Sequence, residues 1–163
     1  MRQRIAAAGL LIGVVVAMAG CAMDDGVSNL TLEQAKAVAQ SREAEIVASL
    51  PAEVVVSVDQ TAQGSLLSCR GERNYRWAGS SFVALADDAD PHELMDDLHA
   101  VYSARPDWRS SRETSFDEPE VILDNVEGDG YLVGVSRDPL EVEIFSFPPC
   151  FHLPEGQSSR GLF

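Results

Sequence analysis

Beyond an apolar N-terminal run, the hydrophobic positions of this chain fall into two stretches at helical spacing and a series of short alternating ones. Leu32, Ala35, Val38, Ala39, Ile46 and Leu50 form an incomplete helical stripe. Thr31-Leu32-Glu33-Gln34 fits a capping box, with the threonine oxygen on an early amide and Gln34 reaching back, and Pro51 stops the run. Arg42 falls near the middle of the stripe and is expected at its edge. The second helix is better marked. Asp90-Pro91-His92-Glu93 supplies a cap, a proline at the first helical position and an acid in the first turn. Leu94, Met95, Leu98, Val101 and Tyr102 then follow at helical spacing.

Elsewhere the period falls to two. Glu53 to Asp59 alternates Val54, Val56 and Val58 with more polar positions, which predicts a strand. Short strands are expected at 65–69 and 81–86, separated by the polar excursion 70–76. Others are expected at 108–114, 120–126 and 131–136, and in a last run bearing Leu140, Val142 and Ile144 that ends at Phe147-Pro148-Pro149-Cys150. Glu127-Gly128-Asp129-Gly130 is a hairpin signal, while Asp117-Glu118-Pro119 and Arg137-Asp138-Pro139 read as breaks. The pattern predicts one α+β domain over 30–154, with two amphipathic helices packed on one face of a mostly antiparallel sheet of five or six strands. Short turns favour sequential pairing of the last three strands. The expected core is Val54, Val56, Phe82, Leu94, Leu98, Val101, Val133, Val142 and Ile144, and the Ser/Gly-rich residues 155–163 are expected to form a flexible tail.

The N-terminal run changes where such a domain works. Arg2 and Arg4 precede an uncharged apolar stretch from Ile5, and small residues follow it, in the order of a secretory signal. The stretch to Ala19 falls short of the ~20 apolar residues a membrane-spanning helix needs. Met18-Ala19-Gly20-Cys21 resembles the bacterial lipobox, with methionine where leucine is usual. That resemblance implies removal of residues 1–20, lipidation of Cys21, and membrane attachment through the acyl chains on the outer face of the cell membrane. Residues 21–29 would serve as lipidated cysteine and tether.

The formal net charge is −14, and Lys36 is the only lysine. Such acidity argues against a nucleic-acid partner and against lying flat on anionic lipid. With Cys21 assigned to lipid, Cys69 and Cys150 remain as an even pair in an oxidising compartment, the setting of a disulfide. It would close a loop for which chain entropy alone gives about 4–5 kcal/mol. A redox or metal role would call for a Cys-x-x-Cys or Cys/His cluster, which the spacing does not supply. Arg70, Arg73 and Arg76 are the one positive cluster, either a solvated loop or a site for an anionic group. The acids around the second helix lack calcium-loop spacing, and His92 and His99 lie seven apart rather than three or four, so no metal or cofactor is expected.

Gly-x-Ser-x-Gly, Ser-x-x-Lys, His-Glu-x-x-His and phosphate-loop motifs are missing from the sequence, which leans away from an enzyme. The lipobox, two helices, Leu66-Leu67-Ser68-Cys69 followed by Trp77, then Trp108 and Ser146-Phe147-Pro148-Pro149-Cys150-Phe151, together resemble the small lipoproteins of actinobacteria and mycobacteria, including the LppA-like group. The resemblance implies a cysteine bridge from the body to the last strand and brings no catalytic residues. The expectation is a non-enzymatic binding or accessory module with a possible envelope protein partner. An enzyme with a dispersed site, or a carrier of a small ligand or lipid, are the alternatives.

Overall fold

The structure, a computed structural model, describes residues 26–137 and 140–163. The expected signal peptide, Cys21 and the start of the tether lie outside the described residues. Helix α1, Leu32–Val47, begins at a complete capping box. The Gln34 amide donates to Thr31 Oγ1 at 3.2 Å and the Thr31 amide to Gln34 Oε1 at 2.9 Å. Helix α2, Pro91–Ser103, is capped by Asp90, whose Oδ1 accepts from the amides of His92 and Glu93.

Eight strands form the sheet, where the sequence pattern predicts five or six. They are β1 Val55–Gln60, β2 Ser65–Ser68, β3 Asn74–Leu85, β4 Trp108–Ser115, β5 Glu118–Asn125, β6 Gly130–Arg137, β7 Leu140–Phe147 and β8 Phe151–His152. The main path runs β1-β3-β7-β6-β5-β4, and β2 and β8 pair with β3 off that path. Every pairing between these strands is antiparallel. β8, only two residues long, is too short for a period to show. β3 is longer than expected and begins at Asn74, inside the polar excursion, because its first half pairs with β2 and β8 while its second half pairs with β1 and β7. Nor does Glu118-Pro119 break the sheet. Phe116 and Asp117 take positive φ angles (51° and 66°) and close a tight turn, and Pro119 already pairs with Thr114.

Two buried clusters join residues of the helices to residues of these strands. The larger joins Ile46 of α1 and Leu50 just after it to Leu94, Met95, Leu98 and Tyr102 of α2, and to Val83, Val121, Leu123, Val133, Val142 and Ile144 of the strands. The smaller joins Ala35 and Ala39 of α1 to Trp77, Phe151 and Leu153. Of the expected core, Leu94, Leu98, Val133, Val142 and Ile144 are buried and Val54 packs at the rim. Three differ. Val56 is 67% exposed because a bulge between Val55 and Ser57 turns it out of register. Val101 lies one position off the stripe that Leu98 and Tyr102 bury. Phe82 alternates with buried Val83 and therefore belongs to the outer face.

Both ends of the described chain are tied to the smaller cluster. The Ser28 amide and Oγ donate to the Cys150 carbonyl at 2.7 and 2.9 Å. Residues 155–163, expected as a loose tail, instead return to the body. The Phe163 and Gly64 backbones exchange two hydrogen bonds of 2.9 Å, and Trp77 Nε1 donates to the Phe163 carbonyl at 3.3 Å. The apolar Phe163 ring packing against the smaller cluster provides the reason.

Trp77 is fully buried and fills the space that Gly64 and Gly79 leave open. A Cβ at either glycine would overlap the indole, and at Gly64 the Ala78 carbonyl as well. Gly64→Ala and Gly79→Ala should each lose at least ~2 kcal/mol in urea unfolding. Gly134→Ala, whose Cβ meets nothing closer than Glu120 Oε2 at 3.7 Å, should be close to neutral. Equal effects at all three sites would contradict this packing.

Candidate functional site

The positive cluster of the sequence is divided by the fold. The hairpin from β2 to β3 turns at Gly71 (φ 95°) and Arg73 (φ 57°). Arg73 folds back, and its guanidinium donates to the backbone carbonyls of Leu153 (2.9 Å), Pro154 and Gln157 (3.1 Å). Its donors thereby hold the returning tail. Arg70 and Arg76 instead border a shallow cleft of about 310 Å³ with Leu67, Phe147 and the two cysteines. Cys69 and Cys150 are bonded across 81 residues with Cα atoms 6.3 Å apart, and Arg76 Nη2 lies 3.5 Å from Cys150 Sγ. This cleft joins two of the three expected anion-binding arginines to the disulfide and leaves the third in a structural post.

A second polar constellation has no counterpart in the sequence reading apart from Arg42. That residue does lie at the stripe's edge, half-buried, with its guanidinium 5.5 Å above the Trp108 ring. It bonds Glu45 at 2.8 Å and approaches Glu127 at 3.6 Å and Asp129 at 3.9 Å. Arg105 pairs with the other oxygen of Glu45 and stacks 4.3 Å from the Tyr102 ring centroid. The Asp129 side chain is buried, and Tyr131 donates its hydroxyl to Oδ2 at 2.9 Å. Burial pushes the Asp129 carboxyl above its ordinary value, against the smaller pulls of Tyr131 and Arg42. Burial also raises the Tyr131 phenol, and the adjacent Asp129 raises it further. Glu45 moves the other way, held down chiefly by the hydrogen bond from Arg42. The group clamps α1, the loop after α2 and the β5–β6 turn. Asp129 lines neither of the two concavities described in this structure.

Glu43 is the third arrangement, and nothing singles it out in the sequence. It is fully buried between the two clusters. Ser81 Oγ donates to its carboxylate at 2.7 Å, Gln60 Nε2 at 2.8 Å, and Ser146 Oγ closes the set. The signal it leaves is the gap in the α1 stripe between Ala39 and Ile46. Elsewhere, His99 Nδ1 lies 2.8 Å from Ser110 Oγ and 3.5 Å from Ser103 Oγ, and His152 meets Asn74. A serine nucleophile would need its histidine oriented by a third group, and the contacts of His99 are hydroxyls. Among the described residues no group of three or more His, Cys, Asp or Glu is arranged to hold a metal ion.

A concavity of about 420 Å³ opens on the outer face of the sheet. Glu118, Glu120 and Glu143 supply its charge, Phe116 and Phe145 its apolar walls, and Gly134 lies between the strands that carry Glu120 and Glu143. Burial raises the Glu120 carboxyl, and the charge of Glu113 adds to the shift. No family model, curated protein or solved structure matches this chain.

The raised carboxyl fixes a pH signature. Asp129 has an ordinary value of 3.8 that rises on folding, so it favours the folded state only while protonated. That contribution is full below 3.8 and fades as pH climbs through the raised folded value. Asp129→Asn, which keeps an acceptor for Tyr131, should therefore gain stability relative to the native chain as pH rises from acid towards neutral. Urea midpoints across that range read the trend, and a constant difference would contradict it.

Proposed function

We propose that this chain is an exported domain, tethered through lipid at Cys21 to the outer face of the cell membrane, that works as a non-enzymatic binding or accessory module. The single observation that supports it most is the Cys69–Cys150 bond. It takes two of the three cysteines, suits an oxidising compartment, and leaves Cys21 as the odd thiol directly behind an apolar leader. The resemblance to small actinobacterial lipoproteins belongs to this proposal. With Ser28 bonded to the Cys150 carbonyl, the leash from Cys21 would reach at most ~25 Å. The body would then sit close to the bilayer, with the disulfide end nearest.

The module reading also fits the chemistry of the sites. The buried Asp129 and Glu43 hold elements together, and the open clefts present charge beside apolar surface, as contact surfaces do. A dispersed enzyme site draws less support, since the His99–Ser110 pair lines neither cleft. A carrier would hold its cargo between helices and sheet, where this fold places Met95, Leu98, Tyr102 and Ile144 in one buried cluster.

Metabolic fatty-acid labelling of the native chain, followed by affinity capture from intact envelopes, tests both halves of the reading. Label should be present and should vanish in Cys21→Ala, and capture should return a specific companion. Persistent label in Cys21→Ala would sink the anchor, and capture without a specific companion would sink the module.

A further inference from the structure

The outer face of the sheet carries a pattern that the fold itself does not use. Following the register from β1 across to β4, one row reads Asp59, Phe82, Glu143, Gly134, Glu120 and Glu113. Two residues further along, and so about 7 Å away, the next row reads Ser80, Phe145, Leu132, Ile122 and Ser111. An acidic row therefore runs beside an apolar one.

A face evolved only to be wetted gains by pairing opposite charges across strands, and Arg109 opposite Asp124 does so here. The acidic row does the reverse. Glu120 stands directly opposite Glu113, a like-charge pair that opposes folding. Glu120 and Glu143 flank Gly134, whose missing side chain leaves the cleft open between them. Phe145 stays exposed beside this cleft, and Phe116, on the positive-φ turn at its end, is 98% exposed. Among the described residues, nothing covers this large aromatic at the rim of an acidic cleft.

We propose that this face docks a polypeptide partner that presents lysine or arginine side chains next to apolar ones. The basic groups enter between Glu120 and Glu143 over Gly134, and the apolar groups cover Phe145 and the row beside it. Charge complementarity selects this occupant. A second copy of the chain would bring its own net charge of −14 against these carboxylates, and an anionic lipid surface would be repelled in the same way. Burial raises the Glu120 carboxyl, and the repulsion from Glu113 that adds to this shift is offset when a cation arrives. This inference deepens the binding-module reading and rests on it for the role of the contact.

The test uses the full-length protein in uncharged detergent and a synthetic peptide alternating lysine and leucine, with a glutamate–leucine peptide as control. Calorimetric titration should show binding of the first peptide only. Glu120→Gln combined with Glu143→Gln should weaken it ~10-fold or more. Gly134→Leu, which fills the cleft from a position with room for a Cβ, should weaken it comparably while thermal unfolding stays near the native value. Asp87→Asn with Asp88→Asn, on the exposed turn before α2, should change nothing. Absence of binding, an equal loss in the Asp87/Asp88 variant, or indifference to Gly134→Leu overturns the proposal. Self-association abolished by Gly134→Leu would overturn it in favour of a second copy. Failure here leaves fatty-acid labelling and envelope capture unchanged, so it is distinguishable from failure of the module reading.

Discussion

β3 runs twelve residues from Asn74 to Leu85, and its two halves serve different neighbours. The second half lies between β1 and β7 and contributes to the larger cluster, which also holds residues of both helices. The first half pairs with β2 and the two-residue β8, over a small cluster centred on Trp77. So short a strand as β8 has little of its own to hold it in place. The Cys69–Cys150 bond supplies what the backbone ladder does not, joining the chain just after β2 to the residue just before β8. Ser28, Arg73 and Phe163 all attach to this same end, so the disulfide secures both termini of the described domain as well as the strand.

Between the two clusters lies a polar seam. Glu43 enters from α1 and is met by Ser81 of β3 and Ser146 of β7. A buried carboxylate without a cation partner is tolerated only when donors satisfy its oxygens, and here two hydroxyls and the Gln60 amide do so. Such a seam fixes the register of α1 against the sheet, because sliding the helix by a turn would strand the charge among apolar side chains. The Arg42–Glu45–Arg105 group performs a related service on the same stretch of the helix, over Trp108 and Tyr102. Both helices are thus oriented by polar contacts as well as by apolar burial. The outer face, by contrast, sets Glu120 directly opposite Glu113, and that contrast distinguishes the proposed contact surface from a structural network.

Much of this was legible in the sequence where local chemistry is strong. The capping box at Thr31, the Asp90-Pro91 helix start and the Asp129-Gly130 hairpin each depend on neighbours in the chain, and each stands where the pattern places it. The cysteine pairing followed from counting. What escaped is what depends on distant partners. β8 exists because Asn74 and Tyr75 accept it, not because two residues show a period. Val56 is displaced by a bulge that alternation cannot reveal. Arg73 looked like one of three equivalent arginines until Leu153, Pro154 and Gln157 came to meet it. Glu43 left only a gap in a stripe, and the acidic row became visible once strand register set Glu113, Glu120 and Glu143 side by side.

If the disulfide closes a small sub-core onto a larger one that stands alone, its reduction should act unevenly. Amide hydrogen exchange with and without reductant measures this directly. Reduction should release protection in β2, β8, the first half of β3 and the segment around Ser28, while β5, β6, β7 and α2 keep theirs. Uniform loss across both clusters, or no change at all, would contradict the division of the fold at β3.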